Sequence, residues 1–199
     1  MAFKKVLVIR HGITKLNERH AYLGGTDEPL SENGRKALSE LKPKYEAVLS
    51  ELTNPRFVTS GMKRTEETVR ILFGDRPTET IPELREINFG VFEGKSYGEL
   101  KEDPAYQTWI SGDNEKNVCP EGESGEEMTA RVLAGFEKIL GEPGDVVIVT
   151  HGGPMAAVMM KLFPNAFANR YEAQTKPGEG YLLAIENEAV SYQKIPEST

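Results

Sequence analysis

The chain has 199 residues, 38% hydrophobic and 28% charged, the composition of a single ordinary globular domain. Its formal net charge of −7 disfavours nucleic acid, whose binding rests on phosphate neutralisation, and disfavours anionic membrane surfaces. It does not exclude a small anion held in a local basic pocket. The single cysteine, Cys119, excludes an intrachain disulfide and favours a cytoplasmic protein. The N-terminal "MAFKKVLVIRHG" carries too short an apolar run for a signal-peptide core, and no apolar run approaches a membrane span.

In chain order, "KVLVI" (5–9) is a continuous apolar run of the kind buried in parallel sheets. Ser31 opens a helical pattern to about Ser50, with Pro43 inside it as a potential kink. "RFVTS" (56–60) reads as a second strand, "GMKRTEETVRILF" (61–73) as a helix stopped at Gly74, and "TETIP" (78–82) as a third strand. From Glu83 to Gly122 the periodicity weakens. Short helices are expected there, and a lid-like insertion is placed at about 87–123 of a single domain spanning 1–199. Ser124 with Glu127 forms a capping-box pattern for a helix to Leu140. "DVVIVT" (145–150) is the next buried strand, followed by a helix from Gly153 and Pro154 to Leu162, with proline at its favoured first position. "YLLAIE" and "AVSYQKI" close the chain as strands joined near Asn187. Strands alternating with helices predict an α/β fold: a three-layer α/β/α sandwich with a mainly parallel central sheet.

Ligand sites in such sheets lie beyond the carboxyl ends of the strands. Those ends deliver Arg10 and His11, Thr59 and Ser60 with Arg64 a turn later, and His151; the loop after the third strand adds Glu86. Gly12, Gly152 and Gly153 would let backbone approach a ligand, and the helix N-terminus after His151 would attract an anion. Two arginines can fork around phosphate oxygens. Singly, each element has a plainer reading. A strand-end histidine is more often structural, and Glu86 in "PELREIN" is by default a surface carboxylate. His20 in "NERH" is expected to be exposed. The aromatic residues Phe92, Tyr97, Tyr106 and Trp109 either form an apolar wall or pack the core of the insertion.

In combination the strings are specific. "RHGITKLN" (Arg10, His11, Gly12, Thr14, Asn17), "YLGGTDEPLSENG" (Gly24, Asp27, Pro29, Leu30, Ser31, Gly34), "SGMKRTEET" (Ser60, Arg64, Thr68), "LREINFGVFEG" (Leu84, Glu86, Gly90), "PEGES" and "THGG" occur in this order. Together they resemble the histidine phosphatase superfamily, also called phosphoglycerate mutase-like. The resemblance implies His11 as a nucleophile taking a phosphoryl group. It implies Arg10, Arg64 and His151 as groups holding the phosphoryl oxygens, and Glu86 as proton donor and later base. Asn17, Gly24 and Gly152 would complete substrate binding, and no metal or other cofactor is implied.

Two departures from the family pattern are Gly61, where many members have proline, and Ala21, where many mutases have arginine. The interval from Glu86 to His151 also lacks the basic cluster of the mutases. These departures favour a phosphatase over a phosphoglycerate mutase. "FEGKSYGELKEDPAYQTW" and "CPEGES" are most similar to the bacterial branch with alpha-ribazole and broad-specificity phosphatases. The expected activity is hydrolysis of a small phosphorylated metabolite, alpha-ribazole 5′-phosphate among the candidates. The alternatives are a mutase, an inactive phospho-ligand-binding protein and, lowest, a His₂Glu zinc hydrolase, in which Arg10 and Arg64 would repel the ion. The expected partner is that metabolite alone, with no nucleic acid and no membrane; monomer and homodimer both remain open.

Overall fold

The computed structural model of the protein describes residues 4–113, 115–187 and 189–196. Six strands, β1 (Lys4–Arg10), β2 (Arg56–Thr59), β3 (Thr78–Thr80), β4 (Val146–Thr150), β5 (Gly180–Glu186) and β6 (Ala189–Ile195), form one sheet in the order β3-β2-β4-β1-β5-β6. The pairs β3–β2, β2–β4 and β4–β1 are parallel, and β1–β5 and β5–β6 are antiparallel. The helices are α1 (Lys15–Glu18), α2 (Glu32–Leu49), α3 (Lys63–Phe73), α4 (Tyr97–Leu100), α5 (Pro104–Ile110), α6 (Gly125–Gly141), α7 (Gly152–Leu162) and α8 (Arg170–Ala173).

The apolar runs explain the layering. Val6 and Val8 of β1, with Val146 and Ile148 of β4, point to the face covered by α6 and α7, where Met128, Val132, Met155 and Met159 pack. Leu7, Ile9, Val147 and Val149 point to the opposite face, onto Leu38, Tyr45, Val69 and Leu72 of α2 and α3. A strand covered on both faces has no polar positions to alternate, so its sequence is continuously apolar. Each such side chain contributes about 1.5–3 kcal/mol through burial. The expected α/β/α sandwich with a mainly parallel sheet is the observed fold.

Several boundaries shift for local reasons. Gly61 has φ of +77°, so α3 begins at Lys63 and not at 61. β3 ends at Thr80, and Pro82 then opens a 3₁₀ turn (Pro82–Leu84), because proline cannot donate to a ladder. Pro43 leaves α2 a single element of 18 residues. α7 starts at Gly152, so Pro154 is its third residue and not its first. There it is still in the turn whose N–H groups lack intrahelical partners. The capping box of Ser124 and Glu127 at the start of α6 is present. α1 and α8 were not read from the sequence; α1 is held by a capping box of Thr14 and Asn17. Between residues 87 and 123, Phe92, Leu100, Tyr106, Trp109 and Cys119 form a separate small core.

Candidate active site

β1 and β4 are neighbours in register, Arg10 opposite Thr150, so the residues that follow each strand meet at one edge of the sheet. His11 and His151 lie there with ring centroids 5.1 Å apart. His11 is 4% exposed, and His151 and Arg64 are fully buried. Buried polar groups must find partners, and the partners define each side chain's state.

His11 Nδ1 lies 2.6 Å from the Gly12 carbonyl oxygen. A carbonyl only accepts, so Nδ1 carries the proton and Nε2 carries a free lone pair. Burial, and after it the Arg64 cation, hold the His11 imidazole well below the usual histidine range; Arg10 acts in the same direction. The ring is therefore neutral at physiological pH, and nucleophilic at Nε2.

Arg64 is aimed by backbone. Its Nη1 donates to Thr26 O and its Nη2 to Gly24 O, both at 2.8 Å, and its Nε donates to His151 Nδ1 at 3.2 Å. The loop 24–26 is itself held by Glu93. Oε1 of Glu93 accepts from Gly24, Gly25 and Phe89 N–H at 3.1, 2.7 and 3.1 Å, and Oε2 accepts from Thr26 N–H at 3.0 Å. Half-burial alone would raise the Glu93 carboxyl, but these donors hold it below the usual range. Both backbone groups of Gly24 are thus engaged, one on Glu93 and one on Arg64.

Arg10 Nη1 donates to Thr175 O at 2.8 Å and to Gln174 Oε1 at 3.4 Å, while its Nε is buried with no partner. Burial lowers the pKa of Arg10 and Arg64, and the nearby Glu86 carboxylate opposes this. Glu86 accepts N–H bonds from Ile87 at 3.0 Å and from Gly153 at 3.1 Å. Its backbone is clamped from α6: Arg131 donates to Glu83 O at 2.8 Å, Arg85 O at 2.7 Å and Glu86 O at 2.9 Å, and is paired with Glu123. A Cβ on Gly153 would displace the Glu86 carboxyl, and one on Gly152 the Gln174 amide, so the two glycines let these side chains approach the backbone.

Arg10, Asn17, Glu86 and Gly153 line a cavity of about 450 Å³, whose other walls include Tyr22, Phe89, Tyr106, Trp109, Arg170 and Gln174. His11, Arg64 and His151 are buried beside this cavity and do not line it. Asn17 spends its side-chain oxygen on Thr14 N–H at 3.2 Å. Arg170 is bonded to Glu115. The cavity settles the two readings of the aromatic residues. Tyr106 and Trp109 both line it and pack the small core, Phe92 belongs to the core alone, and Tyr97 is 59% exposed. His20 is exposed, as expected.

The structure thus brings Arg10, His11, Arg64, Glu86 and His151 into one cluster, with Asn17 and Gly152 at its edge. Sequence reasoning missed Arg131, Gln174, Arg170, Tyr22 and the clamping role of Glu93. The fold and this cluster define an α/β protein with a basic cluster of side chains, two buried histidines among them, beside a cavity at the ends of parallel strands. The family model of the histidine phosphatase superfamily (branch 1) matches residues 6–195, and the chain belongs to that superfamily. It is 25% identical over 180 residues to the adenosylcobalamin/alpha-ribazole phosphatase of Salmonella typhimurium, covering 87% of each chain. It is 28% identical over 153 residues to the probable phosphoglycerate mutase GpmB of an Enterobacter species, covering 74% of this chain and 69% of that one. The structure of Bacillus stearothermophilus YhfR superposes with a TM-score of 0.82 at 26% identity over 98% of both chains. Among the described residues, no helix is long and apolar enough to cross a membrane.

Proposed function

We propose that the protein is a metal-independent phosphomonoester phosphatase working through a phosphohistidine on His11. The observation that carries the reading is the state of His11: neutral, its Nδ1–H spent on Gly12 O and its Nε2 lone pair free beside two arginines and a second histidine. Phosphoryl transfer needs in-line positioning and cations around the equatorial oxygens more than covalent chemistry from the protein. Arg64 is preset by two carbonyls, and the unpartnered Nε of Arg10 fits an incoming phosphoryl oxygen. His151, Asn17 and the Gly152 backbone complete the binding set, and Gly24 acts through Arg64. Glu86 protonates the leaving oxygen and then activates water.

Hydrolysis is favoured over mutase flux because Arg170, a cation of the cavity wall, is already paired with Glu115. A mutase needs such a cation for a second anionic group. The aromatic wall fits a ring-bearing leaving group, and alpha-ribazole 5′-phosphate is one candidate.

Rapid quench with a labelled phosphomonoester tests the reading. The phosphoenzyme should be acid-labile and base-stable, and His11→Ala should abolish both label and turnover while remaining folded. Label on another residue, or none under burst conditions, overturns the mechanism. Return of the phosphoryl group to another oxygen of a retained product would identify a mutase. A screen of phosphorylated metabolites ranked by kcat/KM fixes the substrate.

A further inference from the structure

His151 stands between two buried elements that dictate where its proton lies. On one side Arg64 Nε–H points at Nδ1, 3.2 Å away, and this requires a lone pair on Nδ1. On the other side Nε2 lies 2.8 Å from Ser60 Oγ. Ser60 Oγ lies 3.3 Å from Thr65 Oγ1, which donates its own hydrogen to Met62 O at 2.7 Å. Thr65 has no second hydrogen to give, so Ser60 donates to Thr65 and accepts from His151. The direction is thus fixed from the far end: His151 Nε2–H to Ser60, Ser60 O–H to Thr65, Thr65 O–H to a carbonyl. The reverse order would set an Nδ1–H against Arg64 Nε–H. Ser60, Thr65 and His151 are all 0% exposed, so no water competes for these bonds.

We propose that Ser60 and Thr65 are positioning residues that hold the His151 proton on Nε2, so that any second proton can enter only at Nδ1, next to Arg64. The functional consequence rests on the reading of the site as a phosphoryl pocket. A phosphoryl oxygen that accepts Arg64 Nε–H frees Nδ1. Nδ1 then takes up a proton from solvent and keeps it, as the donor of a hydrogen bond to a second phosphoryl oxygen. The imidazolium so formed adds one positive charge to the pocket only when the anion is present. With the pocket empty, burial together with Arg64, His11 and Arg10 disfavours that charge.

Imidazole ¹⁵N–¹H correlation spectra of the full chain, labelled at histidine, test this directly. Without ligand, His151 should be neutral with its proton on Nε2. Saturating inorganic phosphate should add a proton at Nδ1. Thr65→Val removes the acceptor of the Ser60 hydroxyl. It should mix the two neutral forms of His151 and lower kcat/KM about tenfold, the scale of one buried hydrogen bond left unmade. Thr65→Ser should restore both, which a merely structural role would not require. A wild-type His151 with its proton on Nδ1 overturns the proposal. So does a Thr65→Val or Ser60→Ala protein that keeps both the proton position and kcat/KM. If a variant fails to fold, the ligand-free wild-type spectrum decides. A protein with Nε2–H on His151 that turns over no phosphomonoester would overturn the phosphatase reading and uphold the hydroxyl chain.

Discussion

Glu86 accepts the backbone N–H of Gly153, the second residue of α7, at 3.1 Å. A helix N-terminus behaves as a partial positive charge. Here it is already occupied by a carboxyl group of the protein's own, where the sequence had suggested N–H groups free for a ligand. The contact fixes the carboxyl at the cavity edge, beside Arg10.

That placement makes the role of Glu86 testable by leaving group. An alkoxide leaves poorly without a proton, and positioned acid catalysis contributes roughly 10²–10⁴-fold. Glu86→Gln should therefore slow single-turnover phosphorylation by on the order of 10²-fold or more with an aliphatic phosphate ester. With p-nitrophenyl phosphate the same step should hardly change. Equal losses with both would show that Glu86 is structural. The neighbouring acids are poor substitutes: Glu93 is bound to loop 24–26, and Glu83 is paired with Lys138 on the surface.

Arg131 carries the backbone of this acid. Its three bonds to the carbonyls of Glu83, Arg85 and Glu86 tie that segment to α6. Arg131→Met keeps the aliphatic stem and removes the donors. Hydrogen bonds to charged groups are worth about 1.5–3 kcal/mol, so a clear fall in Tm is expected. kcat should fall while competitive inhibition by inorganic phosphate stays near wild type, because Arg10 and Arg64 are untouched. Loss of phosphate binding in this variant would disprove the separation.

Glu93 should act on the opposite property. Its carboxylate holds loop 24–26, whose carbonyls aim Arg64. In Glu93→Gln one acceptor is replaced by a donor facing backbone N–H groups. Inhibition by phosphate or vanadate should weaken by about tenfold, measured as Ki and as the ligand-induced rise in Tm. An unchanged Ki would show that Arg64 keeps its aim without the loop.

The two buried histidines give folding stability a definite pH dependence. Both have folded-state values pushed below the ordinary one, first by burial and then by the arginines. Above about pH 6.5 folded and unfolded chains alike carry neutral imidazoles, and the shift has no effect. Below that pH the unfolded chain takes up protons that the fold refuses. Stability then falls, by up to about 1.4 kcal/mol per pH unit for each histidine. Chemical denaturation between pH 7.5 and 5 should show this slope reduced in His151→Gln. An equal slope in both proteins would mean that His151 is charged in the empty pocket.

What the sequence disclosed follows from what leaves a local trace. β1 and β4 are legible because burial on two faces demands unbroken apolar runs. His11, Arg64 and His151 are legible because each follows a strand at a fixed short distance. α1 and α8, of four residues each, left no periodicity to read. Arg170 and Gln174, on and just after α8, reach the cavity only through tertiary packing. Ser60 was visible as a motif residue and Glu93 was not, and the work of both depends on hydrogen bonds to residues distant in sequence, 91 positions away for Ser60 and His151. Arg131 leaves no local trace, because nothing in the neighbouring sequence shows that three carbonyls wait for it.

Cys119 lies fully buried in the small core of the 87–123 segment, with burial pushing its thiol up to about 12. Thiolate is the reactive form, so a closed segment protects this residue twice, by access and by protonation. Its rate of alkylation becomes a stopwatch for opening of the small core around it. A cavity ligand bound against Tyr106 and Trp109 should slow the stopwatch, and no label need be introduced to read it.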